Sequence, residues 1–318
     1  MTASREAPNA KHPSHDPRPQ DFGTHHEHMD HFPTAEELRE IDARWGIDRS
    51  LDASEFALRF ERHVTRQADW TGGGASGFVP AQINVVLNPW FIKLMLALMR
   101  RRKNHLALDN VARDRFNQAL KAAHADGSYQ ALSTVHSENH MMHSSMGAAG
   151  TQRFLPWHRE YLFKLESLLR QKQPGVTVPY WDYANDHARP DWVWQPPGVV
   201  RGVPGANLGS LPTQSTIDSI LLKPSYTQFT SSFELEAHNQ VHNWCNGTIT
   251  APKTAAQDPI FFLLHANVDR VWDTWQLNHT GVPVLAGSDA VLDPWQPVTA
   301  SDVDDILVMG YSYELYAA

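Results

Sequence analysis

The chain has 318 residues, 42% of them hydrophobic, so it is long enough and apolar enough to build a sizeable core. Its formal net charge of −8 argues against a nucleic acid or an anionic membrane as partner. A single cysteine, Cys245, excludes an intrachain disulfide and a metal site built on several thiolates, whereas 18 histidines supply imidazole in unusual number.

The first 33 residues are polar, rich in proline and histidine and without apolar periodicity, and they predict a flexible tail. We interpret its four clustered histidines as part of a solvated segment: His25, His26, His28 and His31. The tail has no signal-peptide pattern, and no apolar run in the chain reaches the roughly 18 residues that span a bilayer. We therefore expect a cytoplasmic protein.

Two helices are predicted ahead of the first histidine cluster. Thr34 begins the first as an N-cap with a glutamate three residues later, and Gly46 ends it as a C-cap. The second covers 109–123, where apolar residues recur at helical spacing after Asp109 or Asn110 as N-cap.

Two further helices are predicted around the first histidine cluster. One begins after Gly127, in GSYQALSTVH, and is expected to continue through HSENHMMH. The other begins at about 151, in TQRFLPWHREYLFKLESLLRQKQPG, and is expected to stop at Pro174 and Gly175.

Loop, helix and a last strand are predicted for the rest of the chain. The segment 176–184 is typical of a short extended stretch, and 186–225, rich in Pro and Gly, predicts a long surface loop. Helical patterns return at 228–244 and 259–277, and the alternation after 304 predicts a closing strand.

These elements predict a mainly α protein whose core is a four-helix bundle, formed by two pairs of histidine-bearing helices. Long loops and a few short strands complete this fold. We expect one catalytic domain over residues 34–318, preceded by the tail at 1–33.

The second histidine cluster has the clearer geometry. His238 and His242 differ by about 400° around a helix, so their side chains lie on the same face. His265 ends the apolar run DPIFFLLH and is expected to be buried. A lone buried histidine usually bonds a carbonyl oxygen, but three in apolar surroundings need several partners, which favours a shared metal ion.

The first cluster offers four candidates for three places. His136, His140 and His143 share one face if the helix continues, and His158 lies among apolar residues on the next helix. We predict His136 and His158 as ligands. Between the other two we favour His143, because it lies nearer the connection and can approach from a different direction.

Six neutral imidazoles without a carboxylate among them restrict the metal. Such ligands suit zinc or copper, whereas a di-iron site in a helical bundle uses Glu-x-x-His pairs, which these clusters lack. A two-zinc hydrolase usually needs a bridging carboxylate, and none is evident. Two copper ions that bind O2 between them fit this ligand set best, so the four-helix core is predicted to hold a dinuclear copper site.

Three motifs carry a resemblance to a known family: FLPWHREYL (154–162), HNQVHNW (238–244) and DPIFFLLHANVDRVW (258–272). In them the chain resembles the type 3 copper proteins, which include tyrosinases, catechol oxidases, o-aminophenol oxidases and hemocyanins. The resemblance covers roughly residues 35 to 318. It implies that His136 and His158 bind the first copper, and that the second is bound by His238, His242 and His265.

The chain departs from the family at two places near the first copper. The middle ligand of that copper usually lies closer to the FLPWH motif, whereas here SSMGAAGTQR separates His143 from it. Many eukaryotic members join a cysteine to a histidine near the first copper, but Cys245 lies in another segment. We therefore expect no such thioether, and a bacterial type of enzyme.

The resemblance implies copper-dependent oxidation of phenolic small molecules by O2. Monophenols would be hydroxylated, and o-diphenols oxidised to o-quinones; a separate copper-delivery partner is possible. The alternatives are a catechol or o-aminophenol oxidase without monophenolase activity, a reversible oxygen carrier, and a dizinc hydrolase.

The resemblance also implies a proton acceptor for the phenol. In tyrosinases an asparagine after the first ligand of the second copper, here Asn239, and a nearby glutamate hold a water molecule. Glu234 lies four residues before His238 and shares its helical face, whereas Glu236 faces away, so we predict Glu234.

Three other residues near these motifs have expected roles. Asp269, one turn past His265, is placed to orient a ligand imidazole or to bond a neighbouring helix. Ile249 and Pro252 lie between the second-copper motifs, on the side where substrate enters in related proteins; a plain loop role is the default interpretation, and shaping the mouth of the substrate pocket is the alternative.

Overall fold

A computed structural model describes residues 100–139, 142–206, 209–306 and 309–313. The predicted tail, the helix predicted from Thr34, and His140 lie outside these ranges. Among the described helices, none combines the length and the apolar character needed to cross a bilayer.

The described chain is mainly α-helical, as predicted. Its helices are α1 (Asn110–Ala125), α2 (Ser128–Glu138), α3 (Ala148–Lys172), α4 (Gln214–Leu221), α5 (Tyr226–Ser232), α6 (Asn239–Cys245) and α7 (Ile260–Asn278). A π-helical turn, Phe233–His238, joins α5 to α6, so that 226–245 is one continuous helical stretch. Short 3₁₀ turns occupy His105–Ala107, Ser144–Met146, Thr248–Thr250, Ala255–Gln257 and Gly287–Ala290.

The caps that begin α1 and α2 agree with the sequence. Asp109 caps α1, because its side chain accepts a hydrogen bond from the backbone N–H of Ala112. Gly127 precedes α2 with a φ of +81°, a left-handed conformation that glycine adopts without steric cost.

The predicted continuation of α2 through the first histidine cluster is wrong. The helix ends at Glu138, and Asn139 is extended, with φ −101° and ψ 100°. Both the backbone N–H and the side-chain amide of Asn139 donate to the carbonyl oxygen of Val135. Asparagine ends helices in this way because its side chain competes for the carbonyls of the last turn. His143 therefore lies in the connection to α3 and does not share a helical face with His136.

A short helix, α4, interrupts the loop predicted over 186–225. Thr213 accepts a hydrogen bond from the N–H of Thr216 and begins the helix, which buries Ile217 and Ile220. Among the described residues, the extended stretch at 176–184 forms one isolated bridge, from Tyr180 to Asn104, and no strand.

The closing strand is present but short. Strand β2 (Tyr311–Tyr313) pairs in parallel with β1 (Arg100–Arg102), and Arg101 lies opposite Ser312. The connection between two parallel strands must cross over, and here it contains all seven helices described above, so the pair brings the two ends of the described chain together.

A buried carboxylate joins this pair of strands to the helical core. Asp269 of α7 accepts hydrogen bonds from Arg159 of α3 at 2.5 Å and from Arg102 of β1 at 3.2 Å. The hydroxyls of Tyr311 and Tyr313 donate to it at 2.7 and 2.8 Å. Asp269 thus bonds neighbouring elements, the second of its two expected roles, and it fixes α7 against α3, the two helices that pass through the centre of the core.

Candidate metal centre

Three buried histidines converge in the second cluster. His238 ends the π-helical turn, His242 lies one turn further along α6, and His265 lies on α7. The Nε2 atom of His265 is 3.1 Å from that of His238 and 3.4 Å from that of His242. Imidazole nitrogens about 2.0–2.1 Å from a metal in tetrahedral directions lie about 3.3 Å apart. The observed spacing is therefore that of ligands around one ion.

In two of these rings the Nδ1 atom makes a hydrogen bond to an oxygen of the protein. His238 Nδ1 lies 3.0 Å from the side-chain oxygen of Asn239, and His242 Nδ1 lies 2.8 Å from the carbonyl oxygen of Ile249. Only an N–H can bond these oxygens, so both rings carry the proton on Nδ1. Their Nε2 lone pairs remain free to bind a metal.

The first cluster forms a second triad. His136 comes from α2, His143 from the connection before α3 and His158 from α3, and their ligand atoms lie within 4.8 Å of one another. His158 Nδ1 donates to the carbonyl oxygen of Phe154 at 2.7 Å. The Nε2 atoms of His143 and His158 are buried and make no hydrogen bond to any described residue. Buried ring nitrogens are nearly always paired, so these atoms fit a metal ion as partner.

The two triads adjoin each other. The rings of His158 and His265 stack with their centroids 4.2 Å apart, and the ring of His143 lies 6.5 Å from that of His238. The ring of Phe261 packs against His265 at 4.1 Å and against His136 at 4.8 Å. Two ions held in this way would be neighbours, which is the arrangement of a dinuclear centre.

Burial keeps these imidazoles neutral. Desolvation, with the neighbouring histidines as a further cause, lowers the pKa of His158, His238 and His265 well below its ordinary value. Burial also lowers the pKa of His242 to about 4. Metal binding requires the neutral ring, so at pH 7 no proton has to leave these four residues before an ion binds.

Four of the six histidines line an open cavity of about 950 Å³. Its walls are largely apolar and include Phe261, Pro252 and two half-exposed side chains, Leu235 and Met146. Lys253 lies at the cavity and is exposed to solvent. An apolar cavity above two metal positions suits a small aromatic molecule.

The two residues considered for the pocket mouth have different positions. Pro252 lines the cavity, which supports the alternative interpretation of this residue. Ile249 is buried, and its carbonyl oxygen holds His242 instead, so the alternative is wrong for Ile249. The 3₁₀ turn Thr248–Thr250 directs that carbonyl inward, which periodicity along the sequence does not indicate.

Glu234 and Asn239 both line the cavity. Glu234 is only 2% exposed, and both of its carboxylate oxygens accept the backbone N–H of Ser144, at 3.1 and 3.2 Å. Its Oε1 also lies 3.5 Å from Nδ1 of His143. Glu236 is exposed, in agreement with the prediction that it faces away. The link from Glu234 to Ser144 was not foreseen, because a backbone donor carries no signal in the sequence.

Known proteins match this chain in sequence and in fold. The model of the common central domain of tyrosinase matches residues 126–209 and 202–278. A tyrosinase of Streptomyces antibioticus is 27% identical over 265 residues, which are 65% of this chain and 97% of that protein.

Two solved structures share the fold. A functional unit of octopus hemocyanin superposes with a TM-score of 0.52 at 22% identity, over 67% of each chain. Mushroom tyrosinase superposes with a TM-score of 0.51 at 18% identity, over 68% of this chain and 89% of that one.

Sequence and fold agree with the histidine geometry. The matched segments contain all three motifs on which the resemblance depends, and the two triads provide the ligands that two copper ions need. These findings do not favour a dizinc hydrolase or an oxygen carrier. The chain belongs to the type 3 copper family, as a copper-dependent enzyme that oxidises phenols.

Proposed function

We propose that the chain hydroxylates monophenols and oxidises o-diphenols to o-quinones at two copper ions held by its two histidine triads. The first copper is bound by His136, His143 and His158, and the second by His238, His242 and His265. The main support is that the two triads adjoin beneath one open cavity, and that the buried Nε2 atoms of His143 and His158 have no hydrogen-bond partner among the described residues. When bound, the copper pair binds O2 and passes electrons between O2 and the phenol.

The protein's own residues bind the phenol and move its proton. The apolar walls hold the ring, so that its hydroxyl faces the histidines. A water molecule between Glu234 and Asn239 accepts the hydroxyl proton and passes it to the carboxylate of Glu234. Glu234 is buried and Asn239 is half-buried at the cavity, which supports this role, and the remaining lone pairs of Glu234 can accept hydrogen bonds from the water.

A substrate panel on copper-loaded protein tests this proposal. We expect turnover of a monophenol and of an o-diphenol, and two copper ions per chain. Turnover of the diphenol or an o-aminophenol without any of the monophenol would contradict the proposed hydroxylation and indicate the narrower oxidase.

The ligand assignment is tested by matched histidine variants. His158→Ala and His265→Ala should each retain about one copper per chain and lose both activities. His187→Ala is the control, because this exposed histidine lies outside both triads. A His158→Ala protein that still bound two copper ions would overturn the assignment.

The division into a tail and a domain over 34–318, the cytoplasmic location and a copper-delivery partner stay predictions from the sequence.

A further inference from the structure

We propose that Gly150 and Glu234 are positioning residues, which clamp the connection 142–147 and thereby fix His143 at the first copper. The inference rests on the proposed function, because it takes His143 as a ligand of that copper. It assigns Glu234 a second task besides proton transfer, and it gives Gly150 a role in metal binding.

His143 needs such a clamp because it is held differently from the other five histidines. Those five lie on α-helices or on the π-helical turn, where backbone hydrogen bonds set the direction of each side chain. His143 is extended, with φ −117° and ψ 151°, between the end of α2 and a 3₁₀ turn. Its position therefore depends on what the connection contacts.

One side of the clamp is the carboxylate of Glu234. It accepts the N–H of Ser144, the residue directly after His143, with both oxygens. Glu234 itself lies on the π-helical turn, four residues before a histidine of the second triad. Single-turn π-helical segments are often found at functional sites, and this one brings a buried carboxylate of the second copper's helix to the backbone of the first copper's ligand.

The other side of the clamp is the first turn of α3. A Cβ atom placed on Gly150 would lie 2.1 Å from the carbonyl oxygen of His143 and 3.2 Å from Cβ of Met146. The carbonyl of His143 also accepts the N–H of Met146 at 2.9 Å, so it cannot turn away without breaking the 3₁₀ turn. Carbon and carbonyl oxygen approach to about 3.3 Å at closest, so an alanine here would displace the connection by about 1 Å.

A displacement of this size is large for a metal ligand. Ligand distances are set to within about 0.2 Å, and loss of a residue that orients a ligand typically weakens metal binding by 10- to 100-fold. We therefore expect Gly150→Ala to bind the first copper at least tenfold more weakly and to leave the second copper in place. Measured after dialysis against a graded copper chelator, the variant should keep one copper per chain where the unmodified chain keeps two.

Two variants that each lack one histidine ligand show which of the two copper ions Gly150→Ala affects. With His242→Ala, the remaining copper is at the first triad, and adding Gly150→Ala should remove it. With His158→Ala, the remaining copper is at the second triad, and adding Gly150→Ala should change nothing. Ala148→Gly is the matched control, because it weakens the same first turn of α3 at an exposed position and adds no atom near the carbonyl oxygen of His143.

A pair of variants tests Glu234, the other side of the clamp. These variants also test the proposal if Gly150→Ala does not fold. An amide oxygen can still accept the N–H of Ser144, so Glu234→Gln should keep most of the affinity for the first copper. Glu234→Ala should lose at least tenfold of it, selectively at the first triad. The unmodified chain binding no copper would refute the proposed function, whereas two coppers bound equally tightly in Gly150→Ala and Glu234→Ala would refute the clamp alone. Equal loss at both triads would also refute it.

Discussion

The buried carboxylate of Asp269 provides a quantitative test of how the core holds the site. Asp269→Asn keeps the size of the side chain but removes its charge. The aspartate is 3% exposed and accepts hydrogen bonds from Arg159, Arg102, Tyr311 and Tyr313. The amide of the variant would direct two N–H groups at donors, and both guanidinium groups would lose a counter-charge while buried.

The free energy of unfolding that Asp269→Asn loses depends on the partners that each arginine keeps. Arg102 still pairs with Glu166 at 2.9 Å, whereas Arg159 keeps hydrogen bonds to Gln276 and to the carbonyl oxygen of Asp304 and the electrostatic attraction of Asp273. Removal of one member of a buried ion pair typically costs about 3–5 kcal/mol, because the other charge stays buried. The free energy of unfolding should fall by this amount.

Urea unfolding of the copper-free protein, followed by tryptophan fluorescence, measures this change. With a urea slope of about 3 kcal/mol/M, a loss of about 3 kcal/mol lowers the midpoint by about 1 M. The control is Asp191→Asn, which breaks the pair with Arg189 at a carboxylate that is 54% exposed. Arg189 is only 7% exposed but keeps the carbonyl oxygens of Gly202 and Cys245, and water screens the exposed carboxylate, so this pair should contribute about 1 kcal/mol or less. If Asp269→Asn lost no more stability than Asp191→Asn, the reasoning on the buried network would be refuted.

Three further predictions concern a thiol, acid stability and substrate charge. Burial raises the pKa of Cys245, so its thiol should resist alkylation at pH 8 in the folded protein and react once urea unfolds it; rapid alkylation of folded protein would contradict this. The pKa of His242 is lowered to about 4, so below about pH 6.5 the unfolded chain binds more protons than the folded one. His242 alone should therefore cost the copper-free protein on the order of 3 kcal/mol of stability between pH 7 and pH 4, and His242→Phe should lose less over the same interval than the unmodified chain. Lys253→Glu should raise KM for a carboxylate-bearing phenol a few-fold relative to a neutral phenol at low salt, and an unchanged KM ratio would remove Lys253 from substrate selection.

Local chemistry in the sequence determined most of the helices, and it predicted which histidines lie together in the second triad. Two histidines four residues apart share a helical face whatever surrounds them, so His238 and His242 were paired correctly. Asp109 and the glycine at 127 fixed helix starts by capping and by φ, which depend on a few neighbouring residues. Thr213 is an equally local N-cap and could have predicted the start of α4, but the proline and glycine around it favoured the prediction of a loop.

Only the tertiary structure decided how the helices and their functional side chains pack together. The end of α2 at Glu138 placed His143 off the helix, and the carboxylate of Glu234 and the first turn of α3 then set its position. Asp269 joins groups that lie 42 to 167 residues away along the chain. Such contacts depend on which surfaces pack together, and periodicity and capping, which act over one or two helical turns, contain no information about that.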